Sequence, residues 1–115
     1  MSADDFFTPA RTAAEQLSEL LEHATDAYVN ACVEAAEAEN MYLRAYHVGW
    51  AEATVDGVAA TVRSKSADNR SDVVEAKCAW NLAVAREKAC RAKCDELKNR
   101  LVAALSHQKM VGAQV

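Results

Sequence analysis

Residues 14–50 read AEQLSELLEHATDAYVNACVEAAEAENMYLRAYHVGW. Turned through 100° per residue, Leu17, Leu20, Leu21, Ala24, Tyr28, Ala31, Cys32, Ala35, Tyr42, Tyr46 and Trp50 share one broad face. Glu15, Glu19, Glu22, Asp26 and Glu37 fall on the opposite one. That separation specifies an amphipathic helix of about 40 residues with one apolar and one acidic, solvated stripe. Two start signals compete. Thr8-Pro9 offers an N-cap followed by proline at the first helical position, and Thr12 to Glu15 offers a capping box.

Working outward, Gly49 and Asp56-Gly57 weaken the helix near its far end. The segment AATVRSKSADNRSD, 59–72, is the best connection, with Asn69 or Ser71 available to cap the next helix. From about 71 to 107 the pattern is helical again. Val74, Cys78, Leu82, Ala85 and Ala89 form one face, and Cys90, Cys94, Leu97, Leu101 and Leu105 continue it after a rotation. The spacing therefore predicts one stripe that changes packing partner along its length. The expected fold is all-α: an elongated, coiled-coil-like antiparallel hairpin of two long helices whose turn lies within 54–71. Residues 9–108 form the single domain, 1–8 a flexible start and 109–115 a frayed tail.

Composition agrees. The 115 residues include 25 alanines, one proline, three glycines and no isoleucine. Alanine is the best helix former, and strands favour the β-branched and aromatic residues that are scarce here. Alanine also supplies little burial energy, at roughly 25 cal/mol per Å² of apolar surface. Such a chain packs helices along narrow seams and is expected to complete its core as a homo-oligomer or with a partner. No apolar run reaches the ~18 residues of a membrane span. The acidic start MSADDFFTPA lacks a secretory pattern. A cytoplasmic protein with reduced thiols is expected.

The net charge of −4 is unevenly spread: residues 1–57 carry −9 and residues 58–115 carry +5. Lys77, Lys88, Arg91, Lys98 and Lys109 fall within roughly 80° of helical arc, and Arg86, Lys93 and Arg100 form a second row at seven-residue spacing. Three readings stay open. The bases could track nucleic-acid phosphates, with steep salt dependence. They could form a solvated face laced by Glu87, Asp95 and Glu96. They could also dock on the acidic face of a second copy.

The stretch KACRAKC, 88–94, places Cys90 and Cys94 one helical turn apart, with Cys78 on a similar side. Zinc needs four ligands, commonly paired on a turn, and His23, His47 and His107 are scattered. Small apolar packing is the simpler reading of these thiols, with nearby bases able to lower their pKa. Trp50 and Trp80 come from the same end of the hairpin, as core or as an exposed contact for a partner. Glycine-rich phosphate loops, a nucleophile elbow and clustered histidines are all missing from the sequence. No enzyme activity, metal, cofactor or small-molecule substrate is expected.

The chain from about Ala27 to Met110 resembles a family of small helical proteins encoded by phages of actinobacteria. The resemblance rests on MYLRAYHVGWAEA in the first helix, the ATVRSKSAD step, and the basic AREKACRAKCDELKNRLVAALSHQKM helix. It implies a non-enzymatic accessory role in phage recombination or replication, through DNA or a recombination protein. Alternatives are a module that modulates a host protein, and a minor structural or assembly protein. The secreted hairpins of mycobacterial type VII systems differ at their Trp-x-Gly turn, because Gly49-Trp50 has the opposite order.

Overall fold

The computed structural model describes residues 12–113. Helix α1 (Ala13–Val55), a 3-10 turn (Ala60–Val62), α2 (Arg63–Asp68) and α3 (Ser71–Ala113) succeed one another in that order. No described residue is in a strand. The Thr8-Pro9 start lies outside the described residues. α1 begins instead on the capping box: the Glu15 amide donates to Thr12 Oγ1 at 3.1 Å, and the Thr12 amide donates to Glu15 Oε2 at 3.3 Å. Two of the four orphan amides of the first turn are thereby satisfied.

α1 and α3 pack side by side as an antiparallel hairpin. Cys32 meets Glu87, Glu34 meets Arg86, and Tyr42 meets Trp80, so ascending α1 faces descending α3. The rod measures 80 × 35 × 13 Å. A 43-residue helix is about 65 Å long at 1.5 Å per residue. α3 stays helical to Ala113, through the first residues of the stretch expected to fray.

Burial follows an alternation of three and four residues, with Cys32, Tyr46, Ala53 and Val84 also half-buried or buried beside it. On α1 the half-buried or buried row is Ala14, Leu17, Leu21, Ala24, Tyr28, Ala31, Ala35, Ala38, Tyr42, Ala45 and Gly49. On α3 it is Val73, Ala76, Trp80, Ala83, Glu87, Cys90, Cys94, Leu97, Leu101 and Ala104. A 3.5-residue period is that of a left-handed coiled coil. Seven of the eleven α1 positions are alanine or glycine, which lets the two backbones approach closely.

That period corrects the 100° reading of α3. Val74, Cys78, Leu82, Ala85 and Ala89 are exposed, and the seam runs unbroken through Val73, Ala76, Trp80 and Ala83. Leu20 and Trp50 likewise fall outside the α1 seam. A straight-helix wheel drifts about 20° per heptad from a 3.5 repeat. From Val73 to Ala104 the drift reaches about 90°, enough to make one stripe look like two.

The turn is built from α1's end and a short brace. Gly57, at φ +78°, sits one residue past the Asp56 cap. The Val58 amide donates to the Ala53 carbonyl at 2.9 Å, and the Gly57 amide to Thr54 at 3.2 Å. This is the Schellman arrangement, and it needs a left-handed residue at Gly57. Arg70, just before α3, donates to Glu52 of α1 and forks onto Asp72 at 3.1 and 3.2 Å. Its aliphatic stem lies over buried Gly49: a Cβ there would stand 2.7 Å from Arg70 Cδ. Gly49 therefore does not end α1; it makes room for the brace.

Two measurements check this packing. Val73→Ala removes a side chain that is 1% exposed and is expected to cost roughly 2 kcal/mol. Val74→Ala, at a side chain 47% exposed, should stay within about 0.5 kcal/mol in urea unfolding. Gly49→Ala gains about 1 kcal/mol of helix propensity, but overpacking costs about 1–3 kcal/mol. The substitution should lower Tm alone and raise it in an Arg70→Ala background.

Candidate nucleic-acid and partner interface

The seam divides the eight cations of α3 into two groups. Arg86, Lys93 and Arg100 recur every seven residues along one flank. Arg86 Nη1 lies 2.9 Å from Glu34 Oε2 on α1, joining the two arms. Lys93 Nζ and Arg100 Nη1 stand 3.8 and 3.9 Å from the carboxylate of Glu96. All three cations are exposed, so each pair contributes about 0–1 kcal/mol. Three cations thus share two carboxylates, Glu34 and Glu96.

Lys77, Arg91 and Lys98 recur along the other flank, with Lys88 and Lys109 one step further round the helix. None of these five has an ion pair among the described residues. Arg91 and Lys98 border a cleft of about 490 Å³ that also takes in Thr25, Tyr28, Val29, Cys94 and Asp95. Its lining is mixed: two hydroxyl side chains, two cations and the Asp95 carboxylate, with the Thr25 hydroxyl donating to the Leu21 carbonyl at 2.8 Å. Glu15, Glu22 and Glu39 of α1 lie on the same side, so the positive strip belongs to α3 rather than to the whole face. The described depressions are open hollows on the rod surface.

At the edge of the seam beside this cleft, the Cys32 thiol donates to Glu87 Oε1 at 3.7 Å. That contact accommodates a carboxylate at a seam position, where an unpartnered one would be costly. The Tyr28 phenol is pushed up from its ordinary value, first by its hydrogen bond to Cys32. Cys94 is buried and Cys90 half-buried, at consecutive seam positions. Cys78 is exposed on α3 outside the seam. Among the described residues no group of three or more His, Cys, Asp or Glu side chains could hold a metal ion.

The tryptophans separate. Trp80 is half-buried in the seam and stacks on Tyr42, ring centroids 5.3 Å apart. Tyr46 extends this cluster, 6.2 Å from Tyr42 and 5.8 Å from His47. Trp50 stays on the surface, and the Arg63 guanidinium lies 5.2 Å over its ring. Arg63 also donates to the Val58 carbonyl at 2.9 Å. Cation–π contacts at exposed sites are worth about 0.5–1 kcal/mol. Trp50, Val55 and Val62 leave the loop end of the rod apolar and exposed.

No family model, curated protein or solved structure matches this chain. No helix of the described residues is long and apolar enough to cross a membrane.

Of the residues singled out from sequence, Arg86, Lys93 and Arg100 lie together, Lys77, Lys88, Arg91 and Lys98 lie together, and the seam parts the groups. The Glu34–Arg86 and Arg63–Trp50 contacts were not foreseen. A 3.5-residue register would have exposed the first, since Glu34 and Arg86 both flank the seam. The second depends on the turn and has no periodic signal.

At the loop end, the Arg70 fork holds the Asp72 carboxyl below the usual carboxylate range. A depressed pKa stabilises the fold above the unfolded value, near 3.9. That contribution is lost as pH falls through the lower folded value. The stability difference between the native chain and Asp72→Asn should therefore be constant from pH 7 to 5 and vanish in acid, read by thermal unfolding at each pH.

Proposed function

We propose that this chain is a non-catalytic accessory protein that contacts single-stranded nucleic acid along one flank of α3. The setting proposed is phage DNA recombination or replication in the host cytoplasm. The observation that carries the reading is the sorting of the cations. Among the described residues Lys77, Lys88, Arg91 and Lys98 carry no ion pair, whereas Arg86, Lys93 and Arg100 face Glu34 and Glu96. Unpaired cations are the ones that can release counterions from phosphates.

Geometry supports the same choice. Lys77 and Lys98 are 21 residues apart, about 31 Å along the helix, a span that suits a short stretch of extended strand. Tyr28 and Thr25 border the cleft between Arg91 and Lys98. The half-buried Tyr46 lies on this flank toward the loop end. An aromatic beside a cationic track is the arrangement single-strand binders use.

A protein partner held at the loop end is the second reading, favoured by the exposure of Trp50, Val62 and Val55, the last at 87%. This would fit a helper that contacts a recombination protein or a host protein.

The two readings part in a charge-matched comparison. Lys88→Gln/Arg91→Gln/Lys98→Gln and Arg86→Gln/Lys93→Gln/Arg100→Gln remove equal charge. Titrating an oligonucleotide at several salt concentrations, the first triple should reduce the slope of log K against log salt by about 2, at about 0.7 per phosphate contact. The second should change it by less than about 1. Equal losses from both triples, or no binding at low salt, would overturn the nucleic-acid reading.

A further inference from the structure

The flank of α1 beside Glu34 carries a second row at heptad spacing: Leu20, Ala27, Glu34, Met41, Val48 and Val55. Apart from Glu34, which Arg86 engages, the row is apolar, and all of it is exposed. Met41 is 67% and Val55 87% exposed. Because its period matches the seam, the row stays on one side of the supercoiled helix for 35 residues, about 52 Å. A surface so long, straight and regular fits another rod of equal pitch.

The total surface agrees. The chain exposes 8651 Å², whereas a compact chain of 12.5 kDa exposes roughly 6,200 Å². The surplus of roughly 2,500 Å² exceeds the ~800 Å² per partner that a stable interface removes.

Charge selects the occupant. Arg44 is the single base of α1, and Glu37 lies seven residues before it; neither has an ion pair among the described residues. Together with Asn40 and Met41 they line one shallow depression. A two-fold axis through Met41 brings Glu37 of each copy to Arg44 of the other, with Met41 against Met41 and Val55 against Ala27. Glu34, already held by Arg86, then lies opposite Val48. The patch is self-complementary, as a two-fold interface must be.

We infer that two copies associate through antiparallel α1 helices about an axis at Met41. The flank bearing Lys77, Arg91 and Lys98 faces away in both copies, and the association does not depend on whether that flank binds nucleic acid.

Sedimentation equilibrium of the full chain, with far-UV circular dichroism, tests the assignment. The native protein should sediment at twice its monomer mass, and Met41→Glu at the monomer mass with helicity unchanged. Glu37→Arg and Arg44→Glu should each weaken association tenfold or more, since like charges then face each other. The double reversal should return it to within about threefold of native, as expected when the two sites are coupled. A monomeric native chain would overturn the inference, as would a dimer indifferent to Met41→Glu. Failure of the double reversal to restore association would overturn the antiparallel register.

Discussion

Close approach of α1 and α3 along a seam of small residues is the constraint on which this molecule depends. Ala31, Ala35 and Ala38 leave no room between the helices for a third layer and contribute little apolar area each. The bulk is concentrated where Tyr42 meets Trp80 and where Leu97 and Leu101 enter from α3. A hairpin held this way is thin by necessity, and much of each helix remains at the surface.

Thinness also explains the corner. A two-helix rod has no core to hold its arms in register at the turn, so local devices do it. The Schellman cap at Gly57 fixes where α1 stops. Arg70 then ties Glu52 of α1 to Asp72 of α3, its stem resting in the space left by Gly49. At mid-rod the Glu34–Arg86 pair repeats the cross-arm tie at the surface, where solvent weakens it.

Helix type, the two long arms, the antiparallel arrangement and the region of the turn were legible because alanine content, charge stripes and the Asp56-Gly57 break all act locally. The face of α3 was not. Val73 and Val74 are chemically identical, and a wheel at 3.6 residues per turn cannot choose between them over four heptads. Glu87 added to the ambiguity, since a carboxylate on a seam looks like a surface residue until Cys32 is seen opposite it. The candidate site shows the same limit. That the bases form two rows was readable; that one row meets Glu34 across the seam while the other forms no ion pair among the described residues, with only Asp95 of its own helix nearby, required the pairing of the arms.

Supercoiling turns a periodic sequence into two unlike flanks. Once the seam takes two positions of every heptad, the positions beside it form straight rows that keep to opposite sides of the rod. One flank collects Leu20, Met41, Val48 and Val55 of α1 with the ion-paired cations of α3. The other collects the cations that form no ion pair among the described residues, with Tyr46 and the cleft that Tyr28 borders. Apolar area and uncompensated charge demand opposite surroundings, since burying an unpaired cation is costly and exposing a long apolar row invites association. A rod with these contents on opposite sides can meet both demands at once, with the apolar row covered and the cations left in water.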